Sequence, residues 1–206
     1  LSNAAGTGLF DVENNNWNSY LIDMLGLQLN FPILNKKTST PVGLYKGIKV
    51  FPAIGDQQAS LLGLERDLSN VAVSNIATGS QVTLTSPKLM LSNSFQTRPY
   101  INNTFLLTIP FIPAGRVLNS LVNLLKEVNN KFFGGNIEVE EVWRNLINYT
   151  NKIDLNEGSL PTLRINTDFI GSFSIDGGKI DGIDESNFTV NEIILAFILD
   201  IANNHA

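Results

Sequence analysis

An α/β fold, a mixed sheet with flanking helices, is what this sequence predicts. Short apolar runs closed by Gly, Pro or Asp, such as "KVFPAIGD" and "TFLLTIPFIPAG", read as strands. Longer segments with apolar residues every third or fourth position, such as "RVLNSLVNLLKEV" and "VEEVWRNLINYT", read as helices. The two kinds alternate along the chain, which is the order expected when helices cover a sheet. With 206 residues, 43% of them hydrophobic, there is enough apolar material for one domain, or one domain and part of another.

From the N-terminus, Gly8 to Val12 reads as a short strand followed by an Asn-rich turn. A helix is expected from about Asn18 to Leu25, stopped by Gly26, a residue that tolerates the left-handed conformation of a helix end. Residues 28–47 carry Pro32, Pro41, Gly43 and Gly47 and read as a connector and domain boundary. A strand at 49–54, a helix at 57–64, a strand at 71–76, a turn at Ala77-Thr78-Gly79-Ser80 and a strand at 81–85 follow. The run Thr104 to Ile109 is a further strand, which leads through Pro113-Ala114-Gly115 into a helix at 116–128. That helix has Val117, Leu118, Leu121, Val122 and Leu125 on one face. Glu138 to Thr150 is a second amphipathic helix with acidic residues in its first turn, where the helix dipole favours them. Residues 163–170 read as extended, "IDGGKI" as a hairpin turn, and "TVNEIILAFILDIANN" as a final helix.

Composition narrows the function. The net charge is −5 and the 14 Lys and Arg residues are scattered, so no basic stripe suits a phosphate backbone, and nucleic acid is not an expected partner. No apolar run reaches the length of a membrane span, and the N-terminus lacks the pattern of a signal peptide. The absence of cysteine excludes disulfides and thiol nucleophiles and suits a cytoplasmic protein. The single histidine, His205, is the penultimate residue, so a general base must be sought among carboxylates and lysines.

Two stretches can carry chemistry. In "VFPAIGDQQASLLGLE", an apolar run ends in Gly55-Asp56 and passes at once into a helix. Asp56 there can cap the helix by accepting backbone N–H bonds, or present a carboxylate at the end of a rigid element, and the two roles are compatible. In "NIATGSQVTL", Thr78-Gly79-Ser80 is either a plain hairpin turn or a loop whose backbone N–H groups and hydroxyls approach a phosphate. Elsewhere, Phe132-Phe133 before Gly134-Gly135 form an exposed recognition loop or, the favoured reading, aromatics covering a helix end, and Glu138, Glu140 and Glu141 a metal cluster or, more readily with no His or Cys nearby, a solvated first turn.

Taken in order, "SNAAGTGLFDVENNNWN", "PAIGDQQASLLG", "NIATGSQVTL" and "GKIDGIDESNFTVNEIILAFILDIA" resemble successive blocks of the FGGY carbohydrate kinases. The opening "SNAAGTGLFD", "QTRPYIN" at 96–102 and "DFIGSFSIDGGKIDGI" look closest to the sedoheptulokinase-like branch. The resemblance implies a ribonuclease-H-like (actin-like ATPase) fold. Residues 1–45 would end the first, sugar-binding domain, and residues 46–206 would form the second, nucleotide-binding domain without its C-terminal segment. It also implies ATP-dependent phosphorylation of a sugar hydroxyl, with Asp56 as general base, Gln57 beside the sugar and Thr78, Gly79 and Ser80 at the nucleotide phosphates. Mg²⁺ would be held through phosphate oxygens and water, so no residue is assigned as a metal ligand. The expected acceptor is a ketose such as sedoheptulose; xylulose, gluconate and a non-catalytic sugar-sensing role are the alternatives.

Two departures stand out: Ser172-Phe173-Ser174 follows Gly171 where the family usually carries an arginine, and Leu199-Asp200 stands where Glu-Gly is common. The family's first phosphate-binding strands would precede Leu1 and its adenine-binding segment would follow Ala206. The isolated chain is therefore expected to be inactive, with exposed apolar surface that favours a homo-oligomer.

Overall fold

The computed structural model describes residues 1–35, 37, 39–64, 66–153, 160–169 and 177–206. They divide into two units, Leu1–Val73 with Val82–Pro110, and Ser74–Gln81 with Phe111–Ala206. The expected boundary between residues 45 and 46 falls inside the first of these.

The first unit opens with a one-turn helix α1 (Ser2–Ala5), which the sequence pattern did not announce. Strand β1 (Phe10–Asp11) pairs antiparallel with β2 (Asn16–Trp17). Their turn is tied by Asp11, whose carboxylate accepts from the side chain and backbone of Asn14 at 2.8 and 2.9 Å; these bonds hold its carboxyl below the ordinary value. Helix α2 (Ser19–Met24) starts where expected, because the Asn18 side chain accepts from Leu21 N–H, and it is followed by Gly26 at φ 63°.

Within the expected connector lies a hairpin, β3 (Gly43–Tyr45) with β4 (Ile48–Val50), turned by Lys46 and Gly47, both at positive φ. The strand expected to run to residue 54 stops at Val50, and Pro52, which has no N–H for a ladder, lies beyond its end. Helix α3 (Asp56–Leu62) follows, and after it β5 (Val73–Ile76), β6 (Ser80–Ser86), β7 (Gln96–Pro99) and β8 (Phe105–Ile112).

Strand β8 lies between β6 and β7 and pairs antiparallel with β7, Arg98 opposite Leu106. On the core face Leu106, fully buried, packs against Leu61 of α3 and Leu68. Strand β7 was not expected, since Gln96, Thr97 and Arg98 carry no apolar alternation.

In the second unit the end of β5 and the start of β6 enclose the turn at residues 77–79. Helices α4 (Gly115–Phe132) and α5 (Val139–Thr150) bury Leu121, Val122, Val142 and Leu146 against Ile194 of helix α6 (Val190–Asn203). Each fully buried aliphatic side chain contributes about 1.5–3 kcal/mol. Between α5 and α6 in the chain, β9 (Arg164–Asn166) pairs antiparallel with β10 (Lys179–Asp181). The expected "IDGGKI" turn includes residues 175 and 176, and the Gly171 to Ser174 departure lies in 170–176; both fall outside the described residues.

Helix α6 is capped by Thr189, whose Oγ1 accepts from Glu192 N–H at 3.2 Å. The Phe132-Phe133 expectation is corrected: both rings are 78% exposed, because the chain turns away at Gly134 (φ 65°) instead of folding them under the helix end. Glu138, Glu140 and Glu141 are exposed, with Glu138 paired to Lys126. Among the described residues no helix is long and apolar enough to cross a membrane.

Candidate functional site

Asp56 is the first residue of α3, and Gly55 occupies the cap position with an extended backbone. The capping reading of Asp56 is thus corrected by one position. Its Oδ1 accepts from the N–H of the next residue, Gln57, at 2.7 Å, while Oδ2 has no partner among the described residues. The side chain is exposed and lines a cleft of about 910 Å³ in the first unit, together with Ser2, Gly6, Gly8, Gln96 and Arg98. Gly55 N–H donates to Ser2 Oγ at 2.8 Å, which ties the start of α3 to α1 and fixes one wall of this cleft.

Gln57 takes a different place from the one its neighbour suggests. It is buried, and its amide nitrogen donates to Thr83 Oγ1 at 2.8 Å and Thr108 Oγ1 at 3.0 Å, hydroxyls on adjacent strands β6 and β8. Its Oε1 accepts from Arg98 Nη1 at 2.5 Å. Buried amides need such partners, because an unpaired one costs about 1–3 kcal/mol. Gln58, also buried, donates to Pro99 O at 3.3 Å. The two glutamines bolt α3 onto the sheet and leave Asp56 facing out.

The Thr78-Gly79-Ser80 turn lies in the second unit. Thr78 and Gly79 are exposed, and a side chain built at Gly79 would meet nothing within 4 Å, so its backbone can be approached closely. Ser80 is 2% exposed and its hydroxyl has no partner among the described residues. The turn is held from behind: Gly115 N–H and Arg116 N–H, at the start of α4, donate to Ala77 O and Thr78 O at 3.0 Å each. Those donors of the helix terminus are therefore satisfied within the protein.

Arg98 lies in the stretch "QTRPYIN" with no role visible in its pattern; the signal available was an arginine two residues after a polar partner in extended chain. The Asp200 departure has a structural use. Its Oδ2 accepts from Thr167 N–H at 2.8 Å and Thr167 Oγ1 at 2.6 Å, joining α6 to the end of β9. Among the described residues no group of three or more His, Cys, Asp and Glu side chains gathers to hold a metal.

No family model matches the chain, and no curated protein sequence matches it. Solved structures do. A ligand-bound xylulose kinase from Lactobacillus acidophilus superposes with a TM-score of 0.75 at 16% identity, over 98% of this chain and 42% of that one. Gluconate kinase from the same organism gives 0.69 at 16% identity, over 98% and 42%. Plasmodium falciparum glycerol kinase with ADP gives 0.66 at 16% identity, over 95% and 40%. The chain spans about two fifths of the length of these proteins, and what it shares with them is the ribonuclease-H-like, actin-like ATPase fold of sugar kinases.

Proposed function

We propose that this chain is part of an ATP-dependent kinase that phosphorylates a hydroxyl of a sugar, with a ketose such as sedoheptulose as acceptor. The observation that carries the reading is Asp56, an exposed carboxylate with one oxygen fixed and the other open to the cleft, on a fold shared with sugar kinases. The cleft has the size of a small-molecule site. Asp56 Oδ2 accepts the proton of the acceptor hydroxyl as that oxygen bonds to the γ-phosphorus. The bond from phosphorus to the bridging oxygen breaks, and ADP leaves with its electron pair.

The phosphates are assigned to Thr78, Gly79 and Ser80. The open space over Gly79 and the exposure of Thr78 support that assignment, while the Ser80 hydroxyl is buried and faces inward. Mg²⁺ would be held through phosphate oxygens and water, where it would neutralise phosphate charge, with no residue of this chain assigned to it. Gln57 acts beside the acceptor by holding the base in place through its backbone N–H. Xylulose and gluconate are the alternative acceptors.

Asp56→Asn in the full-length enzyme removes the base and keeps the shape. We expect kcat to fall about 100-fold or more while sugar affinity stays within about threefold. Turnover close to wild type would refute the assignment of Asp56.

A further inference from the structure

Gln57 is the buried neighbour of Asp56, and both ends of its side-chain amide are engaged. Its nitrogen donates to Thr83 Oγ1 and Thr108 Oγ1 at 2.8 and 3.0 Å, and those hydroxyls lie 3.2 Å from each other, which closes a ring of polar atoms between α3, β6 and β8. A threonine hydroxyl can donate or accept, so these two partners alone would take either end of the amide. Arg98 removes the choice. A guanidinium only donates, and Nη1 stands 2.5 Å from Gln57 Oε1, so the oxygen must face β7 and the NH₂ group must face the threonines. Arg98 is itself held in place, since Nη2 donates to Gln96 Oε1 at 2.6 Å from the same face of the strand.

The lock reaches Asp56 through covalent geometry. Gln57 N–H holds Asp56 Oδ1 at 2.7 Å, and the planar peptide between the two residues moves as one piece, so a shift of Gln57 carries the carboxylate with it. Helix α3 has no side-chain cap that could hold its first turn instead, because Gly55 occupies that position. All of these residues belong to the first unit. We infer that Arg98 is a positioning residue for the proposed base: it fixes the orientation of the Gln57 amide and, through it, the direction in which Asp56 presents Oδ2 to the cleft. The inference rests on the kinase reading above. Arg98 lines the same cleft, yet this role requires no bond from it to the acceptor.

The test is a double-mutant cycle in the full-length enzyme, Arg98→Met, Gln57→Met and both together, assayed with Mg-ATP and D-xylulose, D-gluconate or glycerol. Each single variant should lower kcat about 30-fold, the scale of a slightly misplaced catalytic group, while KM for the acceptor stays within about threefold. Because both changes break one link, the double variant should lose at most about threefold more than the poorer single. A kcat near wild type in Arg98→Met, a KM raised tenfold or more, or losses that multiply in the double variant would each overturn the inference. Should the wild type phosphorylate none of the three acceptors, the kinase reading fails, and hydrogen exchange at Gln57 N–H, followed by NMR, decides the Arg98 question separately. Exchange about tenfold faster in Arg98→Met supports the lock, and an unchanged rate overturns it. If Arg98→Met does not fold by circular dichroism, Gln57→Glu is compared with Gln57→Met. The glutamate keeps an oxygen for Arg98 and another for the threonine hydroxyls, so it should recover at least about tenfold of the kcat that methionine loses, or of the exchange protection where no acceptor turns over; equal losses overturn the inference.

Discussion

Replacing Gly115 by alanine tests how the turn at residues 77–80 is held. Gly115 is the first residue of α4, where alanine would ordinarily favour the helix by up to about 1 kcal/mol. Here the added Cβ would lie 2.7 Å from Ala77 O and 3.3 Å from Thr78 Cα, and both obstacles are backbone. The turn and the helix start must separate. That strains or breaks the bonds Gly115 N–H to Ala77 O and Arg116 N–H to Thr78 O, each 3.0 Å. Two net hydrogen bonds at about 1 kcal/mol each, plus about 1 kcal/mol for a helix N–H left poorly paired, outweigh the helical gain. The expected result is a loss of about 2 kcal/mol, or about 4–8 °C in Tm for a chain of this size. Thermal and urea unfolding followed by circular dichroism give the value. Fluorescence of Trp143 in the second unit and Trp17 in the first serves as a check that the units unfold together. Because propensity and sterics predict opposite signs, a Tm equal to or above wild type refutes the packing argument. Gly79→Ala in the same turn is the control: it meets open space at an ordinary φ and should change stability by less than about 0.5 kcal/mol.

Two other outcomes are expected. Leu106→Ala removes a fully buried side chain from between Leu61 and Leu68 and should cost about 3 kcal/mol in urea unfolding; under about 1 kcal/mol would mean that this core closes up around the gap. Asp184 accepts from Ser186 Oγ and N–H and from Asn187 N–H, which holds its carboxyl below the ordinary value, the Ser186 side chain contributing most. Its folded-state value is depressed, so its contribution is complete above the unfolded-state value and is lost as pH falls through the folded one. Ser186→Ala should move the carboxyl midpoint, followed by ¹³C NMR, up toward the ordinary range, and an unmoved midpoint would show that the hydroxyl bond is not the cause.

What the sequence determined by itself is what depends on near neighbours. The face of α4 that holds Val117, Leu121 and Val122, the acidic first turn of α5 and the Thr189 cap of α6 are set by residues three or four apart, and a helix satisfies its own backbone within that distance. The exit of an apolar run into Gly55-Asp56 likewise marked a corner, and there α3 begins. Tertiary structure decided the rest. Strand β7 has no apolar alternation of its own and exists because β8 supplies its hydrogen bonds. Gln57 turns inward because Thr83 and Thr108 meet it from 26 and 51 residues away, and Arg98 reaches its oxygen across 41. Ser80 faces inward while Thr78 and Gly79 face out, a split set by how the 77–79 turn seats on the start of α4. A buried polar group takes whatever partner the closed chain brings to it, and that partner is fixed by the folding of distant segments, which no local spacing encodes.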